Sequence, residues 1–326
     1  MRVGLAGSRA STDLKILKRE IEDRGHTATI FNPRKFPQYA LSSLSSMGSP
    51  GASGAPGTLG ATHDHLDLLG LDALYIGDLE GRDRFFRGYF DRDIWAALRK
   101  RYLDFACSEV DSLAFQMSLM LALAGGVPTV NGPAAIVATR LRPHTIWKIA
   151  RAGIPVWPFE IGARGESIEN AGGPCVRRIR AAEEACYDVP CFPRELKHTL
   201  SLVGEAPTAI VRTIAVGGWN RMVEQGPPVG RGGGRRGDFR AAGAVLVEER
   251  GHRTAAPPPP GVNETARRLL ELFGLAVAEV DFAPMDGGFR VIGISAFPRL
   301  AEFEETTGER VGAMVAEVLM TAGGGD

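Results

Sequence analysis

The 326-residue sequence carries no net charge, since 38 lysines and arginines balance 38 aspartates and glutamates. Attraction to nucleic acid or to an anionic membrane surface is therefore not expected as a bulk property. No apolar run approaches the roughly 20 residues that cross a bilayer. The start, MRVGLAGSRAS, lacks the apolar core of a signal peptide, so the cytoplasm is the expected compartment. Cysteine is scarce: Cys107, Cys175, Cys186 and Cys191 contain no Cys-x-x-Cys pair, and a chain this long needs no disulfide staples. Cys175, Cys186, Cys191 and His198 have zinc-ligand chemistry, but buried or loop thiols are the favoured reading. What remains is an ordinary globular composition, 44% apolar and 23% charged, with a core large enough for two or three packed units.

The chain opens as strand, helix, strand. Arg2 to Ala6 is apolar, Leu14, Leu17 and Ile21 share a helical face behind Ser11 or Thr12 as N-cap, and Thr27 to Phe31 is a second strand. This is a Rossmann-like opening, yet Gly4-x-x-Gly7 lacks the third glycine and acidic residue of a dinucleotide fingerprint, so no NAD is expected. Residues 41–62 are mostly Ser, Gly, Pro and Ala and read as a surface loop, and His63-Asp64-His65 at its exit reads as a solvated pair. Leu71 to Ile76 is another strand. Arg82, Arg84, Arg87 and Arg92 surround Phe85, Phe86 and Tyr89. They read as a charged helix face over buried aromatics, with an anion-binding edge as the alternative. Ser112 to Ala124 is an apolar core helix. Farther on, Pro257 to Pro260 is a rigid spacer, Asn263 caps a helix from Glu264 to Phe273, Gly274 ends it, and Phe303 to Met320 forms the last helix.

The most informative stretch is Val277 to Leu300, VAEVDFAPMDGGFRVIGISAFPRL. Two β-rich runs flank Met285-Asp286-Gly287-Gly288, the composition of a hairpin turn. Strand periodicity puts Glu279 and Asp281 on one face, and Gly293 and Ser295 together on the return strand.

These residues resemble the carboxy-terminal signature of the ATP-grasp superfamily, RimK-type branch. That signature is an aspartate strand, a turn, then Glu-x-Asn followed by a small residue and proline. Asp281 matches the aspartate, and Ile294, Ala296, Pro298 and Leu300 match the frame. Ala152-Gly153-Ile154-Pro155-Val156, Gly237-Asp238-Phe239-Arg240 and the run Glu304 to Gly308 match other segments of the branch. The resemblance implies an α/β (α+β) ATP-grasp fold with an N-terminal Rossmann-like pre-ATP-grasp domain over 1–130. A reduced lid over 131–205 and a large ATP-grasp subdomain over 206–322 would follow. It implies joining of an amino acid, often glutamate, to a carboxylate, with ATP and magnesium as cofactors if the site is functional.

Carried over residue by residue, the resemblance makes Arg212 and Arg240 catalytic candidates. Arg142 stands where the branch has an ATP-contacting lysine, and Arg178 lies in a remnant of a lysine strand. Arg231, Arg235, Arg236 and Asp238 sit in or beside a glycine-rich loop, which reads either as a polyanion site or as a solvated loop. Asp281 and Glu279 are the metal candidates, but Gly293 and Ser295 occupy the expected glutamate and asparagine ligand positions, and Ala242 replaces an asparagine. The departures fall at nucleotide and metal positions while the packing frame survives. The expected protein is thus a RimK-like pseudoenzyme, a binding or partner subunit alongside an active ligase, as in cofactor biosynthesis. It would take an anionic or glutamyl small molecule, with a homo-oligomer also open. The alternative is an active ATP-dependent carbon–nitrogen ligase, acting through an acyl phosphate at a rearranged metal site. A third option is a nucleotide-independent small-ligand binder that uses the N-terminal crevice.

Overall fold

The computed structural model describes residues 1–32, 42–45, 60–63, 66–77, 126–140, 142–162, 199–202, 209–217, 239–249, 252–285 and 287–324. In chain order the elements are β1 (Arg2–Ala6), α1 (Thr12–Glu22), β2 (Thr27–Phe31), β3 (Ser42–Ser45), β4 (Gly60–His63), β5 (Leu66–Asp67), β6 (Ala73–Ile76) and β7 (Thr129–Val130). There follow α2 (Pro133–Arg140), α3 (Arg142–Arg151), β8 (Phe159–Gly162), β9 (Thr199–Leu202), β10 (Ala209–Val216), β11 (Arg240–Ala241), β12 (Val245–Glu249) and β13 (His252–Ala256). The chain closes with α4 (Val262–Phe273), β14 (Val277–Met285), β15 (Gly288–Ser295), α5 (Leu300–Thr307) and α6 (Val311–Ala322). It divides into two compact units. One holds Met1–Pro133, Gly218–Gly237 and Gly312–Asp326, the other Ala134–Gly217 and Asp238–Val311.

The first unit is built on a parallel sheet of order β2-β1-β6-β7. β1 and β6 are buried almost throughout, as strands covered on both faces must be, and their sequences are accordingly continuous apolar runs. The Ser11 hydroxyl accepts the Leu14 amide at 3.4 Å and caps α1, whose Leu14, Leu17 and Ile21 are buried. Glu20 is buried beside them, its charge met by Arg24 at 3.0 Å one turn on. Chain order places β1 between β2 and β6, which gives the Rossmann-like crossover expected from the sequence.

Residues 41–62 depart from the loop reading at both ends. Ser42–Ser45 and Gly60–His63 pair antiparallel, and β5 extends that small sheet. Backbone ladder bonds need no apolar side chains, so a serine-rich run can form a strand that side-chain patterning does not announce. The arginine–aromatic cluster at 82–92, the apolar run 112–124, all four cysteines and His198 lie outside the described residues.

The second unit is an antiparallel sheet, β13-β12-β10-β14-β15, with β11 paired to the end of β10. Two-residue hairpin closure pairs Met285 with Gly288, and Gly287 supplies the positive φ of 84° that the turn requires. α4 packs across β10 and β14, burying Val262, Ala266, Leu269, Leu270 and Phe273. Its ends correct one expectation. Gly261, at φ 84°, holds the N-cap position, and Asn263 is the second residue inside the helix, whereas Gly274 closes it at φ 64° as expected. The expected last helix is two helices, because Gly308 at φ 74° ends α5 before α6 begins.

Ala152-Gly153-Ile154-Pro155-Val156 has a visible structural task. Gly153, at φ 70°, releases the chain from α3, and Val156 then lies parallel to Val291 at the sheet edge. The Val291 amide donates to the Pro155 carbonyl and the Trp157 amide to the Val291 carbonyl, both at 2.9 Å. Trp157 packs on Ala283, Ile292 and Ile210. Phe282, 1% exposed, lies in mid-strand on β14. Its replacement by alanine should cost about 3–5 kcal/mol. Urea denaturation checks this, and a loss under about 1 kcal/mol would mean the sheet core is not packed as described.

Candidate functional site

The antiparallel register assembles a charged cluster on one sheet face. Arg212 of β10 stands directly opposite Asp281 of β14, and Asp281 in turn stands opposite Gly293 of β15. Two residues along, Ile214, Glu279 and Ser295 are aligned in the same way. On the other flank of β10, Arg212 pairs with Leu246, and Glu248 pairs with Arg253 across β12 and β13. A register shift after Asp281 leaves Ile292 as an extra residue on β15. That bulge keeps Gly293 and Ser295 beside the acidic pair while Val291 and Ile292 are both buried.

Arg212 is 3% exposed and lies among three carboxylates. Its Nε is 2.7 Å from Asp281 Oδ1 and 3.1 Å from Glu279 Oε1, its Nη2 is 3.4 Å from Asp281 Oδ2, and its Nη1 is 3.0 Å from Glu302 Oε1 on α5. Arg299, at the entrance to α5, grips Glu279 from the other side. Its backbone amide donates to Oε2 at 2.9 Å and its Nη2 to Oε1 at 2.8 Å. Arg299 Nη1 lies 3.4 Å from Glu302 Oε2, and Arg253 Nη1 lies 3.5 Å from Glu302 Oε1. Glu279 and Asp281 are almost wholly buried, so without these arginines two carboxylates would be stranded in the sheet.

The two acids differ. Burial opposes the charge on Glu279, but Arg212 and Arg299 overcome it and hold its pKa below the usual glutamate value. Burial pushes Asp281 up, Arg212 offsets that only partly, and the neighbouring Glu279 charge pushes further, so its pKa lies above the usual aspartate value. Burial alone would lower the pKa of Arg212, yet the surrounding carboxylates raise it. Although Asp281 has the shorter contact to Arg212, a proton entering the pair goes to Asp281, because Glu279 has two guanidiniums and a backbone amide.

Whether this face suits magnesium follows from its donors. A magnesium ion wants oxygens in near-octahedral array, usually one or two carboxylates with substrate phosphates. Both Asp281 oxygens face Arg212, and both Glu279 oxygens are engaged by Arg299. Gly293 has no side-chain donor. The Ser295 hydroxyl donates to the Phe297 carbonyl and accepts the Phe297 amide, both at 3.1 Å, so it serves the turn out of β15. Among the described residues no three His, Cys, Asp or Glu side chains are grouped as a metal site. The described residues, with their oxygens engaged in this way, do not fit the ion.

The other candidates are dispersed. Arg240 opens β11, exposed, opposite Val216 at the end of β10 beyond Arg212. Arg142 is the first residue of α3. Arg178, Arg231, Arg235, Arg236 and Asp238 lie outside the described residues. Sequence reasoning missed Arg299, Glu302, Arg253 and Glu248. The i, i+3 spacing of Arg299 and Glu302 was the one local signal, while the rest depends on cross-strand register.

Arg212→Met should destabilise the second unit by about 3–5 kcal/mol at neutral pH, measured by urea denaturation, because it leaves buried charge uncompensated. The two acids should respond to pH with opposite sign. The contribution of Glu279 is present above the unfolded value of about 4.3 and is lost as pH falls through its lower folded value. That of Asp281 is present below about 3.9 and is lost as pH rises through its higher folded value. Glu279→Gln should therefore cost more stability at neutral than at acid pH, and Asp281→Asn less. Parallel pH dependence of the two variants would contradict this assignment.

No protein-family model matches the sequence, and no curated protein does. Solved structures match over nearly the whole chain. The ATP-grasp ligase PsnB, complexed with precursor peptide PsnA2 and AMPPNP, is 18% identical at a TM-score of 0.63, covering 98% of this chain and 97% of its own. The macrocyclase MdnC from Microcystis aeruginosa MRC, bound with precursor peptide MdnA, is 15% identical at a TM-score of 0.63, covering 98% and 100%. A RimK domain protein ATP-grasp from Sphaerobacter thermophilus DSM 20745 is 17% identical at a TM-score of 0.53, with the same coverage. At such identities the likeness speaks for architecture. With its parallel N-terminal sheet and antiparallel second sheet, this chain has the α/β ATP-grasp fold.

Proposed function

We propose that this ATP-grasp protein has lost ordinary Mg–ATP chemistry and acts as a binding or partner subunit related to ligases that modify peptides or cofactors. One observation carries the reading: Asp281, the acid of the metal signature, is paired along both oxygens with Arg212. Gly293 and Ser295, its neighbours across and along β15, offer no free carboxylate or amide oxygen in compensation. In this reading 1–130 is the pre-ATP-grasp domain, 131–205 a reduced lid and 206–322 the large subdomain. Arg142, Arg178, Arg231, Arg235, Arg236 and Asp238 are retained for an anionic ligand, and Arg240 lies at the edge of the same subdomain. PsnB and MdnC, complexed with precursor peptides, support a peptide or its glutamyl side chains as the ligand class. The protein would work in the cytoplasm, and no described helix is long and apolar enough to cross a membrane.

A second reading is favoured by the AMPPNP bound to PsnB: an active ATP-dependent carboxylate–amine ligase on the same fold. It requires Asp281 to exchange Arg212 for a metal, against the ion pairing described above.

Calorimetric titration of the full chain with ATP separates the two. The first reading expects the same weak or absent heat with magnesium as with EDTA, unchanged in Asp281→Asn. Magnesium-dependent binding with a Kd of about 1–10 μM, abolished by Asp281→Asn, would establish the second.

A further inference from the structure

We propose that Arg299 is a tethered cation standing in for a divalent ion, and that it closes Glu279 to metal. The inference rests on the reading that this face no longer seats magnesium, and it names the residue responsible. Arg299 is held to Glu279 by its backbone amide as well as its guanidinium, so the strand exit itself fixes the contact. It also lies on the solvent side of the acid, 23% exposed against 1% for Glu279, and reaches across to Glu302. A metal approaching from solvent would therefore meet the guanidinium before the carboxylate.

Charge counting supports the same point. Glu279, Asp281 and Glu302 bring three negative charges, and Arg212 and Arg299 bring two positive ones. Arg253 and Glu248, paired at 3.4 Å, cancel. Among the described residues the cluster keeps one negative charge in excess, too little to neutralise a divalent ion. Without Arg299, with Arg253 still set against Glu248 and touching Glu302, the same count gives an excess of two, which would match such an ion.

The test uses manganese alone, monitored by loss of the free-ion paramagnetic resonance signal on adding full-length protein. Arg299→Met, which keeps the aliphatic stem, should bind manganese at least about tenfold more tightly than the unaltered chain. Arg299→Lys, which restores the charge, should return to the unaltered level. Should Arg299→Met fail to fold, Arg299→Gln is measured in its place. A folded neutral variant with no increase would overturn the proposal, as would equal binding by the unaltered chain. Because no nucleotide is present, a negative result leaves the loss of ATP chemistry to be judged by its own titration.

Discussion

A guanidinium buried between two carboxylates is the constraint on which the sheet face depends. Arg212, Asp281 and Glu279 are each nearly inaccessible, and each charge there needs an opposite one beside it. A buried ion pair of this kind contributes little net stability compared with apolar packing, since desolvation consumes most of the attraction. In the arrangement the structure shows, Glu279, Asp281 and Glu302 each have a guanidinium within reach.

The fold explains how such a cluster is assembled from distant parts of the chain. Antiparallel pairing fixes Arg212 opposite Asp281, and the hairpin returns β15 alongside. The bulge at Ile292 rotates the far end of β15 so that apolar residues fill the core without moving Gly293 from its place beside Asp281. α5 then delivers Glu302, and the residue entering α5 delivers Arg299. The frame around Asp281 is thus intact as packing, with Arg212 and Arg299 set against its acids. The apolar edge formed by Trp157, Ala283, Ile292 and Ile210 continues the same sheet beyond the charged cluster.

Much of this was legible from residues. Continuous apolar runs announced the parallel sheet, Asp286-Gly287 announced the hairpin, and period two placed Glu279 and Asp281 together. Ala152-Gly153-Ile154-Pro155-Val156 was visible as a motif, although its task at the edge of β15 was not. The misses have physical causes. Asn263 looked like a cap, but Gly261 provides a left-handed residue that starts α4 two positions earlier. Ser42–Ser45 pairs through backbone alone, leaving no side-chain signature. The hold of Arg299 on Glu279 was invisible because Glu279 lies on β14, and only the folded register brings the two within hydrogen-bonding distance.

The most direct measurement is a crystal structure of the full chain grown with manganese and AMPPNP, with the metal located by anomalous scattering. The account predicts no manganese at Asp281 and an intact Arg212–Asp281 pair. A manganese peak bonded to Asp281 oxygen, with Arg212 turned aside, would contradict it.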